Sequence, residues 1–330
     1  MSSPSTADGE RAMAIAIATP AQDASVPRTP CDVILLISSA AGYERRRSVV
    51  RKTYLSLLTA DASLARRIKC KFLVGAPATS AEVAALEAEE AEHGDLLQVA
   101  VPESYDMLFP KLVAAWHWAV ATHDFTFFMS ADDDSYIRLD LVARWIDSPL
   151  ATPPTGIYAG YIWDGSDGRR TRPLRDPTAK SYMPHEQWPH DNYPPFASGC
   201  GFLLAHDLVA SLVEMSPTFT FFRVVDVPVG VFLSRLPEGR VRILHLDEVR
   251  AYRPLPLFRP ETMVQHYMQP EEFRSFHERA IAAAAANSPT AASTGGAVAA
   301  AGATSSVVDD SEQRIAAVYE LFVQAKVMRR

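Results

Sequence analysis

The chain has 330 residues, 48% of them hydrophobic and 22% charged, with a net charge of -7, a balance that suits a globular protein with a sizeable core. It excludes a polybasic nucleic-acid binder: the best basic cluster, Arg45-Arg46-Arg47 with Arg51 and Lys52, is short and isolated and better suits a phosphate-bearing small molecule. It also excludes a disulfide framework, with only Cys31, Cys70 and Cys200, and no stretch approaches the ~18 apolar residues of a membrane span.

Residues 1–30 are rich in Ser, Ala, Pro and Thr and read as a disordered tail. The apolar stretch 12–18 within them follows an acidic start, so it makes a poor signal peptide. From residue 31 the chain alternates strand and helix. Val33-Ile34-Leu35-Leu36-Ile37-Ser38 is a short apolar run, and residues 45–58 carry apolar positions near helical spacing. Phe72-Leu73-Val74-Gly75 is a second strand. Thr79 and Glu82 form a capping box that opens a helix, with Gly94 as its stop. Leu96-Leu97-Gln98-Val99 is a third strand. Leu108, Leu112, Ala115, Trp116, Ala119 and Val120 then share one helix face, and Phe125-Thr126-Phe127-Phe128-Met129-Ser130 is a fourth strand. This order predicts a largely parallel sheet covered by helices.

The fourth strand ends in Asp132, Asp133 and Asp134. Ligands of parallel sheets gather beyond the carboxyl ends of the strands. Three adjacent carboxylates repel one another, and a hard divalent cation, Mg2+ or Mn2+, gives them a reason to sit there; a solvated acidic turn is the plainer alternative. Residues 153–195 then read as a long irregular stretch, rich in Pro, Gly, Tyr and Trp, of the kind that is usually functional. Its aromatics, Tyr182 and Tyr193, together with Phe196 just beyond, either line a sugar site or pack on the sheet. Gly199 and Gly201 flank one residue, as expected where backbone approaches a ligand or turns tightly.

Asp226 is the one acid in the otherwise apolar window 224–230. Such an acid has a raised pKa or a strong partner, which suits a general base, and Asp is equally favoured as a helix cap. Arg47 and Arg51, four residues apart on one helix face, either reach a nucleotide and its phosphates or pair with carboxylates. Residues 280–310 are an Ala, Gly, Ser and Thr-rich linker whose first residues, 280–286, can extend a preceding helix. Residues 311–330 read as an amphipathic helix.

Taken in order, these blocks resemble the β-1,3-galactosyltransferase group, glycosyltransferase family 31. Arg47-Ser48-Val49-Val50-Arg51-Lys52-Thr53-Tyr54 resembles its R-x-x-x-R-x-T-W, with Tyr54 for Trp. Phe72-Leu73-Val74-Gly75 resembles its F-L-V-G strand. Residues 87–98 with Glu103-Ser104-Tyr105 resemble its E-x(n)-D-I-I/L-Q and D-S-Y blocks. Asp132-Asp133-Asp134 matches its metal motif, and residues 180–202 its K-x-Y/W-x-P to S-G-x-G-Y block. Asp226-Val227-Pro228-Val229-Gly230 resembles the end of its E-D-V-x-V-G, with Val225 for Glu. Residues 263–272 resemble its H-x-x-x-P-x-E block. Met107 and Phe109 stand where the family has Asn and Thr, and Lys111 is kept.

The resemblance implies an α/β fold for residues 31–279: a GT-A type α/β/α sandwich with a central mostly parallel sheet. It implies an inverting hexosyltransferase that moves galactose from a UDP-galactose donor to a glycan hydroxyl in β-1,3 linkage. N-acetylglucosamine or N-acetylgalactosamine transfer, a catalytically impaired sugar-nucleotide-binding relative and a metal-dependent phosphohydrolase are the alternatives. Asp226 would be the catalytic base. Asp132, Asp134 and His266 would hold Mn2+. Arg47, Arg51, Asp133, Lys111, Gly199 and Gly201 would contact the nucleotide and donor sugar, and Tyr182, Tyr193 and Phe196 the acceptor. The expected compartment is the Golgi and secretory pathway, with any membrane association through a segment not seen in this chain, and no nucleic-acid partner.

Overall fold

The computed structural model describes residues 27–286, apart from 167–170, 221, 223 and 254–256. The expected tail up to residue 26, the linker beyond 286 and the amphipathic helix 311–330 lie outside the described residues. In chain order the elements are β1 (Thr29–Ser38), α1 (Glu44–Lys52), α2 (Ser56–Ala60), α3 (Ala62–Arg67), β2 (Ile68–Ala76), α4 (Ser80–His93), β3 (Leu96–Pro102), α5 (Leu108–Thr122), β4 (His123–Asp132), β5 (Tyr136–Ile137) and α6 (Leu139–Ile146). They continue with β6 (Ile157–Trp163), β7 (Phe196–Ala205), α7 (His206–Met215), α8 (Asp226–Leu233), β8 (Arg242–His245), β9 (Val249–Arg250), β10 (Val264–Gln265) and α9 (Pro270–Ala286).

The main sheet has seven strands in the order β3-β2-β1-β4-β7-β6-β8. β1 pairs in parallel with β2 and β4, β2 with β3, and β6 with β8. β7 is antiparallel to both of its neighbours, so it alone runs against the rest. Side chains alternate across a strand, and β1 shows the consequence. Val33, Leu35 and Ile37 enter a core with Val50 of α1, Leu86 of α4, Val142 of α6 and Phe273 and Phe276 of α9. Ile34 and Leu36 enter a second core with Leu112 and Trp116 of α5, Leu208 of α7 and Phe232 of α8. Helices therefore cover both faces, giving the α/β/α sandwich with a mostly parallel sheet. Strands buried on both faces read as continuous apolar runs, which is why β1 and β4 stand out in the sequence.

The capping box at the start of α4 is present, with the Thr79 side chain accepting from the Glu82 N–H and the Glu82 carboxylate accepting from the Thr79 N–H. Gly94 ends that helix at φ 63°. Two expectations need correction. The helix expected over 45–58 breaks at Thr53, whose φ of -116° and ψ of -111° leave the helical region, and α2 restarts at Ser56. The stretch 153–195 is not irregular throughout: Ile157–Trp163 forms β6, in the middle of the β7-β6-β8 half. Its central residues are buried, so no polar alternation marks it.

A second sheet of three short strands, β5-β10-β9, sits at the end of β4. β10 pairs antiparallel with β5, setting Gln265 opposite Tyr136, and parallel with β9. β5 starts two residues after Asp134, and His266 directly follows β10. The small sheet thus brings His266 to the acidic turn across more than a hundred residues of sequence.

Candidate active site

The acidic turn begins where β4 ends. Asp132 is the last residue of β4, opposite Ser38 of β1. The Asp133 N–H donates to Ser38 O at 3.1 Å, and the Ser135 N–H to Asp132 O at 3.0 Å. The three side chains then diverge. Asp133 turns inward, accepting from Ser39 Oγ at 2.8 Å and from Arg46 Nη1 at 2.7 Å. Asp132 and Asp134 face His266, with Nε2 3.6 Å from one Asp132 oxygen and 3.3 Å from one Asp134 oxygen.

The ligand atoms of Asp132, Asp134 and His266 all lie within 4.8 Å of one another. Two hard carboxylate oxygens and an imidazole nitrogen at this separation fit one divalent cation. His266 is also oriented for that role: Nδ1 meets the carbonyl oxygen of Ala251 at 3.1 Å, a contact in which the ring nitrogen donates, leaving Nε2 toward the carboxylates. Backbone ties fix the same turn, since the Met268 N–H donates to Asp134 O at 2.8 Å.

The electrostatics of the group are strongly coupled. Burial pushes the Asp132 carboxyl up to about 7; His266 opposes this, and Asp134, Asp133 and Asp226 reinforce it. His266 is held well above its ordinary value: burial opposes its charge, but the hydrogen bonds of Asp134 and Cys200 outweigh burial. Without a cation the imidazolium compensates the carboxylates, and a bound cation would take over that role.

Asp226 opens α8, whose first turn packs on β7. Its carboxylate accepts from the Val227 N–H at 3.0 Å and from the Gly199 N–H. Burial raises its pKa, opposed by those backbone donors and by His266. β7 sets this acid near the carboxylate-histidine group: a Cβ on Gly199 would lie 3.8 Å from the Asp226 Cβ, and one on Gly201 would lie 3.0 Å from Val264, two residues before His266.

Several expected donor contacts are built otherwise. Arg47 is fully buried and bidentate to Glu89 of α4, at 2.7 and 2.6 Å. Arg51 binds Asp95 through Nε and Nη2 and also reaches Glu89. Lys111 is buried too, donating to Ser39 O and to Glu103, each at 2.8 Å. Glu103 also accepts from the Gly75 N–H at 2.7 Å, so Lys111 ties the ends of β1, β2 and β3. The phase of α1 explains the arginines: one face packs into the protein, and the residue one step round, Arg46, faces the site. The basic run 45–47 singles out no one arginine, and the fold selects Arg46. It is the guanidinium on Asp133, 3.9 Å from Asp134, and it stacks over Tyr43.

Gly199 and Gly201 act through the packing of β7, and Gly199 also through its N–H on Asp226. Both lie inside β7 rather than at a tight turn. A Cβ on Gly201 would sit 3.0 Å from both methyl groups of Val264 on β10, and one on Gly199 would sit 3.3 Å from Val225. They are missing side chains that let β10 and α8 approach β7. Gly201→Ala is therefore expected to destabilise by about 1–3 kcal/mol in urea unfolding, and Gly201→Ala with Val264→Ala to recover most of it. A neutral Gly201→Ala would show that this close packing does not matter.

Tyr193 and Phe196 are buried and stack edge-on to one another, with Trp188 beside Tyr193. They act here as core, not as an open sugar platform. Tyr182 is half-buried in the loop, bridged to Leu174. Cys200, buried on β7, hydrogen-bonds the His266 ring and was not anticipated.

A family model described as galactosyltransferase matches residues 45–241, which include β4, the acidic turn and Asp226. The chain belongs to the galactosyltransferase family. It is 29% identical over 239 residues to the β-1,3-galactosyltransferase brn of Drosophila melanogaster, covering 71% of this chain and 69% of that one. It is 26% identical over 214 residues to the β-1,3-galactosyltransferase GALT1 of Arabidopsis thaliana, covering 64% of this chain but spanning only 32% of that longer relative. Among solved structures it is similar to the galactosyltransferase LgtC in complex with donor and acceptor sugar analogues, at 14% identity and a TM-score of 0.38, covering 74% of this chain and 95% of that one. Membership of the galactosyltransferase family places the chain among glycosyltransferases. Among the described residues, no helix of this family member is long and apolar enough to cross a membrane.

Proposed function

We propose that this chain is an inverting UDP-galactose-dependent β-1,3-galactosyltransferase acting on a glycan acceptor, in the Golgi or another part of the secretory pathway. One observation carries the reading: Asp132, Asp134 and His266 converge at the carboxyl end of β4, with a separate half-buried acid, Asp226, packed on Gly199 of the neighbouring β7. A metal group and a lone base are the two elements that a single displacement from a nucleotide sugar requires.

Asp132, Asp134 and His266 would hold Mn2+ or another divalent cation. When bound, that ion supplies charge neutralisation to the departing diphosphate. Asp226 takes the proton of the acceptor hydroxyl. The oxygen then bonds to the anomeric carbon from the face opposite UDP, the bond to the phosphate oxygen breaks, and the configuration inverts. The backbone N–H groups of Gly199 and Val227 hold the Asp226 carboxylate in position for that proton transfer. Arg46 keeps Asp133 out of the donor set and adds positive charge at the rim, where a diphosphate would lie.

The test is release of UDP from a panel of UDP-sugars with a glycan acceptor, with and without Mn2+. Mn2+-dependent turnover of UDP-galactose is the expected result. Preference for UDP-N-acetylglucosamine or UDP-N-acetylgalactosamine would replace the donor and keep the chemistry. Metal-linked UDP binding without turnover on any acceptor would make the chain a sugar-nucleotide-binding relative. Absence of metal-linked UDP binding would overturn the assignment of Asp132 and Asp134.

A further inference from the structure

Tyr267 follows the third candidate ligand and is the one described non-glycine residue with positive φ, at 57°. Left-handed backbone is unfavourable for a residue with a Cβ, and for a bulky aromatic it is a genuine outlier. Strain of this kind persists only where its surroundings over-determine it. Here they do. Arg253 Nη1 donates to Tyr267 O at 2.8 Å, and Arg253 is itself ion-paired with Glu272 of α9. On the other side, Gln265 Nε2 donates to His266 O at 3.0 Å and to Tyr252 O at 3.2 Å. The next N–H, of Met268, is bonded to Asp134 O.

The unusual backbone has a geometric product. Successive residues in extended chain point to opposite sides. The turn at Tyr267 instead brings its ring flat onto that of His266, with centroids 3.8 Å apart and planes 19° from parallel. The His266 ring is thereby bounded by Tyr267 on one face, by Ala251 O at Nδ1, and by the two carboxylates at Nε2. With a stacked ring on its face, the imidazole cannot rotate about its own bond without losing that contact.

We propose that Tyr267 is a positioning residue: its left-handed backbone and stacked ring preset the His266 imidazole for a divalent cation shared with Asp132 and Asp134. This rests on the metal-site reading above, so the experiment must separate the two. Partners that orient a metal-bound histidine typically change affinity by ~10–100-fold when lost.

The measurement is Mn2+ binding by titration calorimetry and by the loss of free-ion EPR signal, on wild type, His266→Ala, Tyr267→Ala, Tyr267→Phe and Tyr267→Gly, with metal-free melting temperature alongside. Tyr267→Ala is expected to weaken Mn2+ by about tenfold, and Tyr267→Phe, which keeps the ring, to bind as wild type does. Tyr267→Gly removes the backbone cost as well as the ring. It is expected to melt no lower than Tyr267→Ala and still to bind Mn2+ weakly, which a merely structural role would not produce. If His266→Ala binds Mn2+ as tightly as wild type, the metal-site reading fails and this proposal falls with it. If His266→Ala is weakened but Tyr267→Ala and Tyr267→Gly are not, the metal site stands and the positioning role is wrong. Should Tyr267→Ala prove unfolded, Tyr267→Gly and Tyr267→Phe decide between the same outcomes.

Discussion

Replacing Asp226 with Asn is expected to lower galactosyl transfer by about 10²–10⁴-fold while leaving Mn2+ and UDP binding in place. The substitution is nearly isosteric. The Asn oxygen can still accept from the Val227 N–H that holds the carboxylate, so α8 keeps its start against β7. What is lost is the basic lone pair. Burial places the Asp226 pKa above the ordinary carboxylate range despite those donors and His266, and a stronger base is a better proton acceptor for a sugar hydroxyl. The reactive form is the carboxylate, so wild-type kcat/KM is expected to fall as pH drops through that raised pKa. In the Asn variant the residual rate loses that acidic limb. Single-turnover transfer measured across pH, with UDP affinity measured in parallel, decides the matter. Transfer at the wild-type rate would place the base elsewhere. Loss of UDP binding together with transfer would mean that Asp226 holds the site's structure rather than the proton.

How much of this was legible in the sequence follows from what each residue contacts. The alternation from β1 to β4 is visible because doubly buried strands read as apolar runs and because Thr79, Glu82 and Gly94 carry local helix signals. The acidic turn is legible for the same reason: its position at the carboxyl end of β4 follows from the order of elements. The middle of the chain is harder. β6 mixes Gly, Tyr and Trp, and β7 contains Gly199 and Gly201, so both resemble loop until the antiparallel pairing through β7 is seen. The glycines answer to Val264 and Val225, residues far along the chain that no local pattern reveals. The basic residues stayed open for a related reason: of the two alternatives for Arg47 and Arg51, pairing with carboxylates is the one the fold builds. A sequence shows that Arg47, Arg51 and Lys111 are charged, but not that Glu89, Asp95 and Glu103 wait for them inside the fold.

That arginine network leads to the largest expected effect on stability: Arg47→Met should cost about 3–5 kcal/mol. Arg47 is fully buried and spends its donors on both Glu89 oxygens, on Ser39 Oγ and on the carbonyls of Ala40 and Ala41. Methionine fills much of the volume and supplies none of these bonds. Glu89 would retain Arg51 but lose its bidentate partner, and two carbonyls would lose a charged donor. The effect also reaches the site, because Ser39 Oγ both accepts from Arg47 and donates to Asp133. The dependence on pH has a definite sign. Burial raises the Glu89 pKa, but the hydrogen bonds of Arg47 and Arg51 outweigh it and leave the pKa below the ordinary carboxylate value. A depressed carboxylate pKa contributes stability above the unfolded-state pKa of about 4.3, and that contribution is lost as pH falls through the folded value. The gap between wild type and Arg47→Met in urea unfolding should therefore be widest near neutral pH and narrow on acidification below about pH 4. Pairing Arg47→Met with Glu89→Leu should recover part of the loss, since a buried charge is no longer left short of partners. A single Arg47→Met variant as stable as wild type at neutral pH would mean that Arg47 is not a structural arginine and would return it to consideration as a donor contact.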